Sequence, residues 1–281
     1  MRVKIWGCRG SLATPGPDTL RYGGNTSCVE IRRDDGSALL LDAGTGIRGL
    51  GIELAAQGVH KIDLLLTHLH LDHVEGLGFF APLWNPQTEL HVWGPPSPLR
   101  SLHARIGRYF SAPLFPVELT QVPSRLVFHD APTEPWELSG VRVTAQPVAH
   151  LGPTLGFRLE EDGCSLAYIP DHEPVVGVPV ESLSRDWLSG YTLAAGADLL
   201  LHDGQYFEEE YSDRLGWGHS SVATAVGFAE VTGVGELIVF HHDPLHSDTA
   251  LDDLAARARE LSRNGGPSPR LAHEGMEIQL G

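Results

Sequence analysis

The chain has 281 residues, 42% hydrophobic and 20% charged: enough apolar content to bury a core, without the bias of a disordered segment. The formal net charge is −16 with histidine neutral, lysine occurs only at Lys4 and Lys61, and the arginines are scattered along the sequence, so extended nucleic-acid binding is not expected, whereas a small anionic substrate is compatible. No stretch approaches 18 apolar residues and the N-terminal segment lacks a signal-peptide core, which argues against a membrane span; three cysteines without CxxC spacing argue against a disulfide framework and fit a reducing cytoplasm.

In chain order, Arg2–Trp6 alternates as a strand does, and a Gly- and Pro-rich loop follows to Gly24. Cys28–Arg32 and Ala38–Leu41 read as a hairpin turning at Asp34-Asp35-Gly36. Ile47–Gln57 has helical spacing, and Ile62–Leu66 is an apolar run of the kind found in a central strand. Residues 74–83 read as the start of a helix or a short helical loop, Glu89–Trp93 as a strand and Ser97–Phe110 as a helix. Residues 111–140 are Pro-rich with short strands.

Strands are expected at Val141–Ala145, Thr154–Leu159, Ser165–Ile169, Ala197–Leu201, Glu236–Phe240 and Met276–Leu280, and helices at Ser221–Thr232 and Asp248–Arg263. Strands followed by mixed strand and helix recur in each half, which predicts two sheets with helices outside. No linker, repeat or low-complexity segment breaks residues 1–281, so a single domain is expected.

Chemistry concentrates at His68-Leu69-His70-Leu71-Asp72-His73, directly after the apolar run Ile62–Leu66. Three imidazoles and a carboxylate within six residues are costly to crowd together without a cation. Alternation puts His68 and His70 on one side, and a turn brings Asp72 and His73 to a neighbouring point, which makes two adjacent metal positions. Further His and Asp residues follow apolar strands elsewhere: His150, Asp171, His202-Asp203 and His241-His242.

The segment resembles the HxHxDH signature of the metallo-β-lactamase fold superfamily. Gly10-Ser11 with Arg21-Tyr22-Gly23-Gly24-Asn25-Thr26-Ser27-Cys28, and Leu41-Asp42-Ala43-Gly44-Thr45-Gly46, are similar to the entry loop and second motif of its phosphodiesterase and RNase Z branch, and the likeness runs in order from about residue 2 to residue 246. The resemblance implies an α/β, four-layer αβ/βα sandwich. It implies two divalent metal ions, zinc first, with manganese and iron also suited to His and Asp ligands. One metal would be held by His68, His70 and His150, the other by Asp72, His73 and His241, with Asp171 between them and a hydroxide bridging the pair. At the last position His242 stands beside His241, and spacing leaves both open.

Trp217-Gly218-His219-Ser220-Ser221 resembles the His-Ser-Thr segment of RNase Z-like enzymes, in which the histidine is thought to contact the scissile phosphate or protonate the leaving oxygen. The same residues would also serve as a plain helix cap. Asp203 lies where that branch places a carboxylate holding the histidine, and Asp72 would orient the nucleophile as well as bind metal. His60, His91, His103, His129, His172, His246 and His273 read as surface or structural.

The expected function is therefore metal-dependent hydrolysis, first of a small phosphodiester such as a cyclic nucleotide. RNase Z-like RNA 3′-processing is the alternative, because the interval from His150 to Asp171 is short and contains Glu160-Glu161-Asp162 where RNase Z-like enzymes in some lineages carry a long basic arm. Ester or lactone hydrolysis on the same metals, and a non-catalytic metal-binding protein, complete the set. The related group is often dimeric, which extends to this chain as a possible homodimer.

Overall fold

The computed structural model describes residues 1–32, 37–262 and 266–281; the turn expected at Asp34-Asp35-Gly36 and the last residue of the helix expected at Asp248–Arg263 lie outside them. In the first half the strands are β1 (Arg2–Gly7), β2 (Cys28–Arg32), β3 (Ser37–Leu41), β4 (Lys61–Leu65), β5 (Glu89–Gly94) and β6 (Arg125–Asp130). The second half adds β7 (Trp136–Leu138), β8 (Val141–Pro147), β9 (Leu155–Glu161), β10 (Cys164–Ile169), β11 (Leu199–Asp203), β12 (Glu236–Phe240), β13 (Ser268–Leu271) and β14 (Glu277–Gln279). The helices are α1 (Ile47–Gln57), α2 (Leu102–Ile106), α3 (Tyr191–Ala194), α4 (Glu208–Tyr211), α5 (Val222–Thr232) and α6 (Asp248–Leu261).

Among the described residues the strands form two sheets, ordered β14-β1-β2-β3-β4-β5-β6 and β13-β12-β11-β10-β9-β8-β7. Each sheet is antiparallel on one side and parallel on the other: β3 to β6 run parallel in the first, β10 to β13 in the second. The α/β sandwich expected from the sequence is present, helices outside and sheets inside.

The side-chain period of two explains why the runs are apolar throughout. Leu39 and Leu41 face the core between the sheets, with Leu199, Leu201, Ile238 and Phe240 from the opposite sheet. Their alternates face outward: Ala38 and Leu40 pack under Ile47, Leu50 and Leu54 of α1, and Leu200, Leu237 and Val239 pack under α5 and α6. Burying each of these Leu side chains stabilises the fold by about 1.5–3 kcal/mol.

Two expectations change. The helix read over Ser97–Phe110 shortens to α2, because Pro95, Pro96 and Pro98 break the chain and Ser101 caps the start by accepting from the Ala104 N–H. Residues 74–83 take the short-helical-loop form of the two expected, with 3-10 turns at Leu77–Phe79 and from Ala81 separated by Phe80. β13, which was not foreseen, is an edge strand, where Pro269 is tolerated. Among the described residues no helix is long and apolar enough to cross a membrane.

Candidate metal centre

The parallel strands deliver their C-terminal ends to one edge of the sandwich, where crevices form in open α/β sheets. β3 leads into Asp42, β4 into the segment Thr67–His73, β10 into Asp171, β11 ends at Asp203 and β12 leads into His241. β8 contributes the loop carrying His150, and the turn before α5 carries His219.

These side chains converge. His68, His70, His150 and Asp171 offer ligand atoms within 4.8 Å of one another, as do Asp72, His73, Asp171 and His241. Asp171 belongs to both sets: its Oδ1 lies 3.0 Å from His73 Nε2 and 3.2 Å from His241 Nε2, its Oδ2 3.7 Å from the Nε2 atoms of both His68 and His150. His241, not His242, faces the cluster; His242 turns away and donates from Nε2 to the Ala272 carbonyl at 2.8 Å. The His241 backbone is left-handed, φ 61°, and a methyl on Gly10 would run into its ring, so Gly10 is needed for that approach.

The surroundings fix which nitrogen of each ring looks inward. His73 Nδ1 donates to Asp42 at 2.8 Å, His150 Nδ1 to the Gly218 carbonyl at 2.7 Å, and His241 Nδ1 to Gln205 Oε1 at 3.0 Å. The Thr67 hydroxyl donates to Asp42, leaving its oxygen to accept from His68 Nδ1 at 3.1 Å. Each of these four imidazoles therefore presents a bare Nε2 lone pair to the middle, the arrangement in which outer partners orient metal ligands. Asp42 is the hub: it also accepts from the Thr67 N–H and the Tyr168 hydroxyl.

His68 Nε2, His73 Nε2 and Asp171 Oδ1 are buried without a hydrogen-bond partner among the described residues. Lone pairs facing carboxylate oxygens in a buried site are tolerable only with positive charge between them. The donor set fits a pair of divalent cations.

Without cations the charges settle differently. Burial alone would raise the Asp171 carboxyl, but the rings of His241, His73 and His68 hold it well below the usual range, and Asp72 behaves alike beside His73 and His241. Burial pushes His68 down, with His73 adding to the effect. His73 is pushed well up, because Asp171, Asp72 and Asp42 override its burial.

Beside the two sets, His219 Nδ1 donates to Asp203 Oδ2 at 2.7 Å, and its ring stacks on His241 with centroids 4.9 Å apart. Burial opposes a charge there, but Asp203 overrides it and pushes His219 up to about 9. Ser221, by accepting from the Thr224 N–H, supplies the cap of α5, so capping does not require His219.

Some contributors went unread in the sequence. Ser11 donates its N–H to Asp72 at 2.7 Å. Glu173 is buried and accepts from the Tyr211 hydroxyl and the N–H groups of Gly216 and Gly218, which ties the loop bearing Trp217 to His150. Ser11 and Asp42 stood in recognised motifs, and Gln205 lies two residues after Asp203; nothing local marked Glu173. Arg100, Arg105 and Arg108, close together in the sequence, line one wall of a cleft of about 590 Å³ that includes His68 and His70. The reading of the arginines as scattered is thereby corrected: these three stand on and beside α2, which carries them to the cleft. A separate cavity of about 480 Å³ between α5 and residues 178–181 shares none of these residues.

A family model described as "Beta-lactamase superfamily domain" matches residues 38–242. Ribonuclease Z of Mycobacterium bovis (strain BCG / Pasteur 1173P2) is 30% identical over 252 residues, covering 82% of this chain and 83% of its own. Among solved structures, the metallo-beta-lactamase fold protein YhfI from Bacillus subtilis superposes with a TM-score of 0.71 at 17% identity, covering 99% of each chain. Human tRNase Z, short form, superposes with a TM-score of 0.66 at 21% identity over 100% of each chain.

Proposed function

The chain belongs to the beta-lactamase superfamily and is a metal-dependent hydrolase, and on that premise we propose that it hydrolyses phosphodiesters, with His219 as the proton donor. The observation that carries this reading is the His219–Asp203 pair standing beside two metal-ligand sets that share Asp171. Ester or lactone hydrolysis would not need that pair.

In this reading His68, His70, His150 and Asp171 hold one divalent cation, and Asp72, His73, Asp171 and His241 the other. Zinc comes first, and manganese or iron suits the same donors. When bound, such a pair supplies Lewis acidity and a water acidified toward neutral pH. The chain's own groups do the rest. Asp72, held by the Ser11 N–H, orients the attacking water, and Asp203 fixes the His219 tautomer so that Nε2 faces the substrate. Tyr206 and Trp217 wall the cleft beside it.

RNA 3′-end processing is the substrate reading that the ribonuclease Z relatives favour, since the likeness spans most of both chains. The small-diester reading keeps one specific support: the interval from His150 to Asp171 is filled by the β9–β10 hairpin, leaving no room there for an arm. Zinc- and manganese-loaded protein would be assayed on bis-p-nitrophenyl phosphate, p-nitrophenyl acetate and a tRNA precursor, with and without chelator. Chelator-sensitive cleavage of both the diester and the precursor is expected. Diester cleavage alone selects the small substrate, and acetate cleavage alone overturns phosphodiester chemistry.

Glu173 is assigned a positioning role by the same reading. Glu173→Gln replaces one acceptor oxygen by a donor and leaves the Gly216 or Gly218 N–H unpaired, which loosens the carbonyl that orients His150. Metal affinity is expected to fall about 10–100-fold. Competition against a chromogenic chelator measures it, and an unchanged affinity removes Glu173 from that role.

A further inference from the structure

The cleft above the imidazoles, about 420 Å³, continues in two directions. One arm, about 390 Å³, shares Ser11, His70 and His219 with it and leads to Trp217, Arg214 and Leu245. The other, about 590 Å³, shares Leu69, His70 and Leu71 with it and leads to Arg100, Arg105 and Arg108. His219 lies on the first arm and is absent from the second. A proton donor faces the leaving oxygen, so the second arm receives the part of the substrate that keeps the scissile phosphorus.

We infer that Arg100, Arg105 and Arg108 form a subsite for a second phosphate, carried by the retained part of the substrate. This rests on the phosphodiesterase reading and adds to it what lies beyond the scissile group. The chain is strongly acidic, and several surface arginines sit against carboxylates: Arg21 on Asp252, Arg32 on Glu53, Arg257 on Glu208, Arg270 on Glu236. Arg100 and Arg108 have no carboxylate within ion-pair distance among the described residues, although each lines the cleft. Arg105 is half-buried, held by the Pro95 carbonyl, and its buried Nε has no partner among the described residues.

Arg100 and Arg108, free of ion pairs among the described residues, and Arg105, which shares its field only with Asp130, keep positive charge beside the reacting centre for a ligand. Their planar forks match phosphate oxygens in a way an ammonium group does not. Leu69, Leu99 and Leu114 line the same cleft and give it apolar surface beside the arginines. The plainer account is a solvated basic turn with no ligand, and it predicts no preference among substrates.

A phosphate in this place can come from the next link of an oligonucleotide or from the free end of a small bisphosphate. The test uses metal-loaded parent protein and the Arg100→Ala/Arg108→Ala double variant. The substrates are the p-nitrophenyl ester of thymidine 5′-phosphate, the same ester carrying a 3′-phosphate, and an oligoribonucleotide. Both arginines are exposed, and matching thermal midpoints would verify folding. For the 3′-phosphorylated ester kcat/KM should fall at least about tenfold in the variant, and for the plain ester less than about twofold, the loss of one charge-assisted contact.

A parallel fall on the oligoribonucleotide identifies the chain as the source, and no fall there identifies the small bisphosphate. Equal changes on the two esters, or no change on either, overturn the subsite. If the parent protein cuts neither the esters nor the oligoribonucleotide, the phosphodiesterase reading fails by itself. The subsite is then judged by equilibrium dialysis of thymidine 3′,5′-bisphosphate, where an unchanged affinity in the variant overturns it and a tenfold weakening, about one charge-assisted contact, sustains it.

Discussion

Asp171→Asn should lower phosphodiester cleavage by at least about a thousandfold, because several kcal/mol of charge stabilisation leave with the cations and each 1.36 kcal/mol is a factor of about ten. Asp171 is the carboxylate common to both ligand sets, with its two oxygens turned toward different pairs of imidazoles. Asn keeps the volume and removes the charge, so the variant can fold while four Nε2 lone pairs face a neutral amide. Two divalent cations so close together repel, and an anion between them is what makes the pair tolerable. Metal content by emission spectroscopy should drop from about two equivalents to one or fewer, in step with the rate. A folded variant that keeps both equivalents and its turnover would sink the bridging role. Asp42→Asn makes a graded comparison: it leaves the ligands in place but weakens the hold on His73 Nδ1, and its loss should be nearer the 10–100-fold typical of outer partners.

The frame of this molecule was legible because burial on both faces leaves a local mark. Leu39–Leu41 and Leu199–Leu201 are apolar throughout, since alternate residues enter different cores. Such runs end abruptly where polar groups reach the sheet edge, and the expected ligands sit on the segments that follow expected strands. His150 does so although its strand, β8, is antiparallel to its neighbours. Where the sequence misled, the deciding interactions were not periodic. Ser97–Phe110 has helical spacing, but prolines and the Ser101 cap cut it to one short helix. His241 and His242 look alike in sequence; a left-handed backbone at His241 and a carbonyl waiting for His242 decide between them. Glu173, buried far from any motif, acts through two backbone N–H groups more than forty residues away. Long-range contacts of that kind leave no local pattern to read.

His219→Ala is the second large expectation, and its size should depend on the leaving group. A p-nitrophenolate departs without a proton, so bis-p-nitrophenyl phosphate should lose less than about tenfold, whereas a diester with a ribose or alkyl leaving oxygen should lose about 10²–10⁴-fold. The geometry gives the reason. Nδ1 is committed to Asp203, which leaves Nε2 to carry the transferable proton, and the pair pushes His219 up to about 9. A raised value means that the acid form is present below that pH and is lost above it. The alkyl-diester rate should therefore stay level through neutrality and fall on the alkaline side, and His219→Ala should abolish that limb. Cations on the neighbouring ligands would move the limb to lower pH by repulsion without changing its sign. Asp203→Asn should show the same leaving-group dependence, and combining it with His219→Ala should add little, because the two act as one unit. Equal losses on both classes of leaving group would instead make His219 a contact to the phosphate oxygens, with the leaving oxygen protonated from elsewhere.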